Sequence, residues 1–151
     1  MAHEPYRRVL VPVDFSPRSL EALRLAQRVA PQAEYVLLHA FEVPFEGKLR
    51  YAGVEENALA SLRVNARREA TAKMNELVAA AGADENRVRR IVVHGEATTQ
   101  VLEHEQAQDC DLIVIGKRGQ GLIGEMLLGS VTKHILAQSA GDVLVADRAG
   151  A

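Results

Sequence analysis

The segment LIVIGKRGQGLIGEMLLGSVTKHIL, residues 112–136, decides the fold that the sequence predicts. It opens with a continuous aliphatic run, which is typical of a strand buried on both faces of a parallel sheet. A glycine-rich stretch follows the run, and a helical pattern begins near Ser130. The segment therefore predicts a strand that leads through a glycine-rich loop into a helix, as in open α/β sheets.

Four further aliphatic runs have the same character and are separated by helical patterns. They lie at residues 9–13, 35–40, 88–94 and 143–146. Helices are predicted after the Ser16-Pro17 pair, over residues 55–81 up to Gly82, near residues 99–108 and from Ser130. Right-handed crossovers between such strands give a parallel sheet with helices on both faces. The sequence therefore predicts an α/β fold of the Rossmann-like kind, with a single five-stranded parallel sheet of assumed order 3-2-1-4-5.

Composition narrows the class of protein. A length of 151 residues suits a single domain, expected to span residues 1–151. The formal net charge of −2 argues against a general nucleic-acid or membrane binder, because such proteins need a basic face. No apolar run reaches the ~18 residues of a membrane span, and the first residues do not resemble a signal peptide. Cys110 is the only cysteine, which excludes an internal disulfide, and we expect a cytoplasmic protein.

The predicted topology locates a ligand site. In open α/β sheets, ligands bind beyond the carboxyl ends of the strands, where the strand order reverses. With the assumed order, this point lies between the first strand, which ends at Pro12-Val13-Asp14, and the fourth, which ends at Gly116. The long connector at residues 41–54 is either a lid over this site or a surface loop.

Two short glycine patterns do not fit this position. The G-x-G-x-x-G pattern of Gly119, Gly121 and Gly124 would mark a dinucleotide fold after a first strand, but here it follows the fourth. A phosphate loop of the Walker type needs Lys-Ser or Lys-Thr where this chain has Glu125-Met126. We therefore assign Gly121 and Gly124 to turn geometry alone.

A longer pattern, in which Gly116-x-x-Gly119 is followed after nine residues by Gly129-Ser130, makes better physical sense. The first two glycines let the backbone approach an anion closely. The second pair begins a helix, whose free N–H groups and dipole favour an anion. Lys117 and Arg118 add local positive charge. Together with Val-Pro-Val-Asp-Phe-Ser at residues 11–16, this pattern resembles the universal stress protein family, and the resemblance covers about residues 6–147.

The resemblance is to the branch of the family that binds ATP, and it implies a fold like that of the adenine nucleotide alpha hydrolases. It implies an adenosine pocket at the end of the first strand, a backbone contact to adenine from the second, a ribose and phosphate loop, and a triphosphate-binding helix start. The corresponding residues are Pro12, Val13, Asp14, Ala40, Gly116, Lys117, Arg118, Gly119, Gly129, Ser130, Val131 and Thr132. It also implies a homodimer formed by the last strand, from Asp142 to Asp147, although Gly141 stands where the family often has proline.

Whether the site performs chemistry is left open by the sequence. Asp14 could accept a hydrogen bond from ribose, help hold a hydrated Mg²⁺ ion, act as a base, or cap the first helix, for which Ser16 is better placed. We carry three hypotheses: an ATP-binding regulatory module, a slow ATPase or nucleotide phosphohydrolase, and a scaffold with a vestigial pocket. His39 and His94 end adjacent strands and are interpreted as hydrogen-bonded rather than catalytic. No histidine pair has the helical spacing of a metal site, and Cys110 is not expected to be reactive because aspartates flank it.

Overall fold

The computed structural model describes residues 6–117 and 129–147, and in this part of the chain strands and helices alternate. The strands are β1 (Arg8–Pro12), β2 (Glu34–Phe41), β3 (Val88–His94), β4 (Leu112–Gly116) and β5 (Asp142–Ala146). The helices are α1 (Pro17–Val29), α2 (Glu46–Tyr51), α3 (Glu56–Ala81), α4 (Ala97–Ala107) and α5 (Ser130–Gln138), and one 3-10 turn spans Glu85–Arg87.

The five strands form one parallel sheet in the order β3-β2-β1-β4-β5, which confirms the predicted fold class and strand order. The register places Val9 of β1 between Tyr35 of β2 and Leu112 of β4. Because the strands are parallel, the carboxyl ends of β1 and β4 lie side by side. Pro12 and Gly116 therefore end neighbouring strands at the same edge of the sheet.

The continuous aliphatic runs are explained by burial on both faces of the sheet. Alternate residues of each central strand point to opposite sides and enter two separate hydrophobic clusters. Val9 and Val11 pack with Leu23 of α1 and Met74 of α3. Leu10 packs on the other face, with Val101 of α4 and Ile135 of α5.

Two sequence interpretations of helices are corrected by the structure. The connector at residues 41–54 contains α2, a helix of six residues with no buried side chain. The apolar side that the sequence pattern predicts for α3 is only partly buried; it comprises Leu59, Leu62, Ala66, Met74, Leu77 and Val78. The first half of the helix contributes only Leu59 to the interior, and Leu62 is 41% exposed. Within the described residues, none of the helices combines the length and apolarity that crossing a membrane requires.

Candidate nucleotide site

A cavity of about 340 Å³ opens at the carboxyl ends of the central strands, where the strand order reverses. Its size falls in the range of ~300–1,000 Å³ that is common for small-molecule sites. Many of the residues predicted for the site line it. They are Pro12, Val13, Asp14, Ala40, Gly116, Gly129, Ser130, Val131 and Thr132. Arg118 and Gly119 lie outside the described residues.

The loop between β1 and α1 fixes the position of Asp14. Its Oδ1 accepts hydrogen bonds from the backbone N–H of Ser16 at 2.9 Å and from the hydroxyl of Ser19 at 2.8 Å. The Ser19 hydroxyl oxygen in turn accepts from the Asp14 N–H at 3.0 Å. Asp14 therefore supports the start of α1, a role that the sequence interpretation gave to Ser16, whose side chain makes no capping hydrogen bond.

The next residue in this loop, Phe15, has a left-handed backbone conformation with φ of 64°. Such a conformation is unfavourable for a residue with a bulky side chain, and it is found preferentially at functional sites. The Phe15 ring packs against the His39 ring at 4.4 Å between centroids. His39 Nδ1 lies 2.7 Å from the carbonyl oxygen of Val13, which can only accept, so Nδ1 carries the proton. His39 thus lines the cavity with a satisfied hydrogen bond, as the sequence interpretation expected.

Two hydrogen bonds join the end of β4 to the start of α5. The N–H of Gly129 donates to the carbonyl of Lys117 at 3.0 Å. The hydroxyl of Thr132, which is 3% exposed, donates to the carbonyl of Gly116 at 2.8 Å. Gly116 and the Gly129-Ser130 pair of the long glycine pattern therefore both lie at the cavity.

The first amides of α5 are available for a ligand by helix geometry. The N–H groups at its first three positions, Ser130 to Thr132, have no partner four residues earlier within the helix. Gly129 precedes them as the N-cap residue, is buried, and has φ of −64°, a value open to any residue. The backbone conformation therefore does not require a glycine at this position. Because glycine has no side chain, residue 129 itself does not cover the first amides of α5.

The structure does not bring Lys117 into the lining of the cavity. Its ammonium group lies 3.4 Å from Asp147 Oδ1. Its expected contribution of positive charge to the phosphate loop is therefore largely offset by this carboxylate. The sequence interpretation missed a different cation, Arg18, which lines the cavity from the first turn of α1. Its position directly after the Ser16-Pro17 helix start was a usable signal, because that turn must face the end of β1.

Two other candidate residues lie away from the cavity lining. His94 Nε2 is 3.3 Å from Glu46 Oε2, and its ring packs edge-on against Phe41. Burial raises the pKa of the Cys110 thiol to about 11, with smaller contributions from neighbouring charges. The raised pKa agrees with the prediction of low reactivity, but burial rather than the flanking aspartates is its main cause. Among the described residues, no three metal-binding side chains of His, Cys, Asp or Glu gather in one place.

The sheet order and the cavity define an α/β protein with a cavity at the switch point of a parallel sheet, the position at which such folds bind ligands. The particular class is given by the sequence, which matches the model of the universal stress protein family over residues 5–147. The chain belongs to this family.

Relatives share this fold along nearly their whole length. Universal stress protein YxiE of Bacillus subtilis is 28% identical, with 93% of this chain and 98% of that protein covered. Universal stress protein MJ0577 of Methanocaldococcus jannaschii is 27% identical, with 95% and 96% covered. The solved structure of MJ0577 superposes with a TM-score of 0.79 over 97% of this chain and 99% of that one, at 26% identity. A universal stress protein solved in complex with cAMP has a TM-score of 0.59 at 27% identity, with 93% and 95% covered.

Proposed function

We propose that this chain is an ATP-binding universal stress protein that acts as a nucleotide-dependent regulatory module in the form of a homodimer. The observation that carries the proposal is the junction of β4 and α5. There hydrogen bonds from Thr132 to Gly116 and from Gly129 to Lys117 join the two elements, and the first residues of α5, whose amides have no partner within the helix, line a cavity together with Asp14. Helix amides without partners are a preferred site for phosphate.

The cavity offers different surfaces to the two ends of a nucleotide. The side chains of Leu38, Val101 and Ile115 give it an apolar wall, which suits the faces of a purine ring. Ala40, at the end of β2, is the position at which the family resemblance expects backbone contact with adenine. The relative solved with cAMP carries an adenine nucleotide, which supports this class of ligand here.

The geometry favours binding over hydrolysis. Asp14 Oδ1 already accepts hydrogen bonds from Ser16 and Ser19, which engage this oxygen in supporting the start of α1. As a single carboxylate it could still help hold a hydrated Mg²⁺ ion, whose other ligands would be water and the phosphates of the nucleotide.

The dimer is proposed on the open edge of the sheet. β5 is the last strand and pairs only with β4 among the described strands. Its central residues Val143, Leu144 and Val145 are half-buried, and an apolar strand edge needs a cover or a partner. Light scattering on the purified chain should give twice the mass of one chain, and the mass of a single chain would contradict this part of the proposal.

Titration calorimetry with ATP and Mg²⁺, followed by chromatography of the nucleotide, tests the proposal. We expect saturable binding, a raised melting temperature because ATP binds only the folded state, and ATP recovered intact. Excess ADP that disappears in Asp14→Ala would favour the slow ATPase instead. No stabilisation by any adenine nucleotide would contradict both and favour a scaffold with a vestigial pocket.

A further inference from the structure

Arg18 is the only cationic side chain of fixed charge among the described residues that line the cavity, and Asp14 is the only anionic one. Without Arg18, the formal charge facing a ligand would be that of the Asp14 carboxylate, which repels phosphate. The dipole of α5 offsets only part of such a charge, since it amounts to about half an elementary charge at a helix terminus.

The guanidinium of Arg18 lacks the partners that most arginines of the described chain have. Ion pairs with a carboxylate are formed by Arg8, Arg24, Arg50, Arg63, Arg87 and Arg90, and Arg67 donates to the carbonyl of Val92. Arg18 has no such ion pair within the described residues, and its Nε is buried without a hydrogen-bond partner there. The Nε of Arg90 is unpartnered as well, but the same guanidinium pairs with Glu85, whereas that of Arg18 lines the cavity.

A buried donor without a partner is costly, and native proteins leave few of them. At the wall of a ligand cavity, the partner can arrive with the ligand. A guanidinium presents a planar fork of donors that matches the oxygens of a phosphate group, and such charge-assisted pairs are stronger than neutral hydrogen bonds. Arg18 therefore has the chemistry, the position and the unmet hydrogen-bonding capacity to bind a phosphate.

We propose that Arg18 binds a phosphate group of the nucleotide directly and makes the site selective for phosphorylated nucleotides over the uncharged nucleoside. The proposal rests on the nucleotide-binding function above and adds the residue that recognises the ligand's charge. It places this recognition on α1, opposite the amides of α5, so that a phosphate lies between a guanidinium and a helix start.

The test compares charge selectivity in matched variants. Arg18→Gln keeps a polar side chain without the charge, Arg18→Lys keeps the charge without the planar fork, and Arg28→Gln removes an exposed arginine from the other end of the same helix. Each variant is titrated with ATP, ADP, AMP and adenosine, and a urea unfolding curve checks that it is folded. Arg18→Lys also keeps the test available if Arg18→Gln does not fold.

We expect Arg18→Gln to bind ATP roughly 10- to 100-fold more weakly, as for a lost hydrogen bond to a charged group, and to bind adenosine as the parent protein does. Arg18→Lys should lie between the two, and Arg28→Gln should match the parent. ATP binding in the parent should weaken with added salt more than in Arg18→Gln, because screening acts on the charge pair.

Two results would overturn the proposed role of Arg18 and leave the proposed function standing. They are an unchanged ATP affinity in Arg18→Gln, or a loss of affinity shared equally by ATP and adenosine. The first would mean that the guanidinium does not contact the ligand, and the second that it only shapes the cavity. If the parent protein bound none of the four ligands, the proposed function itself would fail, and the role of Arg18 with it.

Discussion

The two ends of the sheet differ in how far their polar side chains have hydrogen-bond partners within the chain. At the amino ends of the strands, Asp111 accepts from the backbone N–H groups of Arg7 and Arg8, and Arg8 pairs with Glu34. A hollow of about 980 Å³ lies there, much larger than the cavity at the other end. Many of the polar side chains around it already have partners within the chain. The larger hollow is therefore the weaker candidate for a ligand site.

At the carboxyl ends, Asp14, His39 and Thr132 are hydrogen-bonded, but two other buried polar groups are not. Arg18 Nε and Ser16 Oγ are buried without hydrogen-bond partners among the described residues, and Phe15 adopts an unfavourable backbone conformation. Two unpartnered polar atoms beside one cavity favour a ligand site there. Backbone conformation does not distinguish the two ends, because Asp109 at the amino end has φ of 52°. The comparison favours the carboxyl ends as the ligand site because of these unpartnered groups, and not because of the volume of the hollow.

The largest effect is expected from Glu105→Ala at the amino end, where the effect should be on stability alone. The Glu105 carboxylate is 2% exposed and accepts from the Ser139 hydroxyl and from the N–H groups of Ala140 and Gly141. Its removal leaves these donors without an acceptor and should lower the free energy of unfolding by about 3 kcal/mol. Urea denaturation measures this loss.

The exposed Glu103 of the same helix provides the control, and Glu103→Ala should unfold at the parent's urea concentration. ATP affinity should be unchanged in Glu105→Ala below its unfolding transition. A large loss of affinity would show that the two ends of the sheet are coupled and would break the comparison.

Thr132→Val should lower the free energy of unfolding by less than Glu105→Ala does, and it should also lower the affinity for ATP. The isosteric change removes the hydrogen bond to the Gly116 carbonyl and should lower the free energy of unfolding by about 1–2 kcal/mol. Because this bond holds the α5 start against the end of β4, ATP affinity should fall as well. Thr71→Val, at an exposed helical threonine, is the control for both calorimetry and urea denaturation. Unchanged ATP affinity would mean that the bond is structural only.

Ser130→Ala should affect binding alone. The Ser130 side chain is exposed at the first position of α5, so the urea midpoint should not change. If its hydroxyl donates to a phosphate oxygen, ATP affinity should drop by a factor equivalent to about 1–2 kcal/mol. Calorimetry beside Ser61→Ala, a change at an exposed serine of α3, would reveal this loss, and equal affinities would remove Ser130 from the site.

The smallest effect is expected at Cys110, near the amino ends. With a pKa of about 11, raised mainly by burial, roughly one thiol in a thousand is ionised at pH 8. A maleimide or iodoacetamide probe should leave the folded protein unmodified and label it fully in urea, as followed by mass spectrometry. Since the folded pKa is raised, the thiol's contribution to stability is complete below pH 9.0 and is lost as the pH rises towards about 11. Rapid labelling of the folded chain at pH 8 would contradict the burial of this thiol.

Much of the fold could be predicted from the sequence because burial on both faces leaves a direct mark. Each predicted strand lies within about two residues of its observed bounds, as expected for boundaries read from pattern alone. The helix α2 was missed because six residues, none of them buried, beside Pro44 and Gly53 carry no apolar periodicity. Leu62 was misplaced since periodicity shows which residues share a helix face, but not how far along the helix that face touches the sheet.

The candidate site could be predicted where it follows from topology and glycine spacing. The neighbouring ends of β1 and β4 and the hydrogen bonds that join the end of β4 to the start of α5 belong to this part. Side-chain pairing could not be predicted, because it depends on rotamers and on residues distant in sequence. Lys117 resembles a phosphate ligand in the sequence but pairs with Asp147, whereas Arg18 resembles a solvated helix residue but lines the cavity.

The central claim is that the cavity between Asp14 and the start of α5 holds an adenine nucleotide, and a crystal structure determined with saturating ATP and Mg²⁺ tests it most directly. The account predicts electron density for the nucleotide there, with phosphate oxygens within hydrogen-bonding distance of the Ser130 and Val131 amides and of the Arg18 guanidinium. A nucleotide bound elsewhere, or a cavity without density at saturating ATP, would contradict the account.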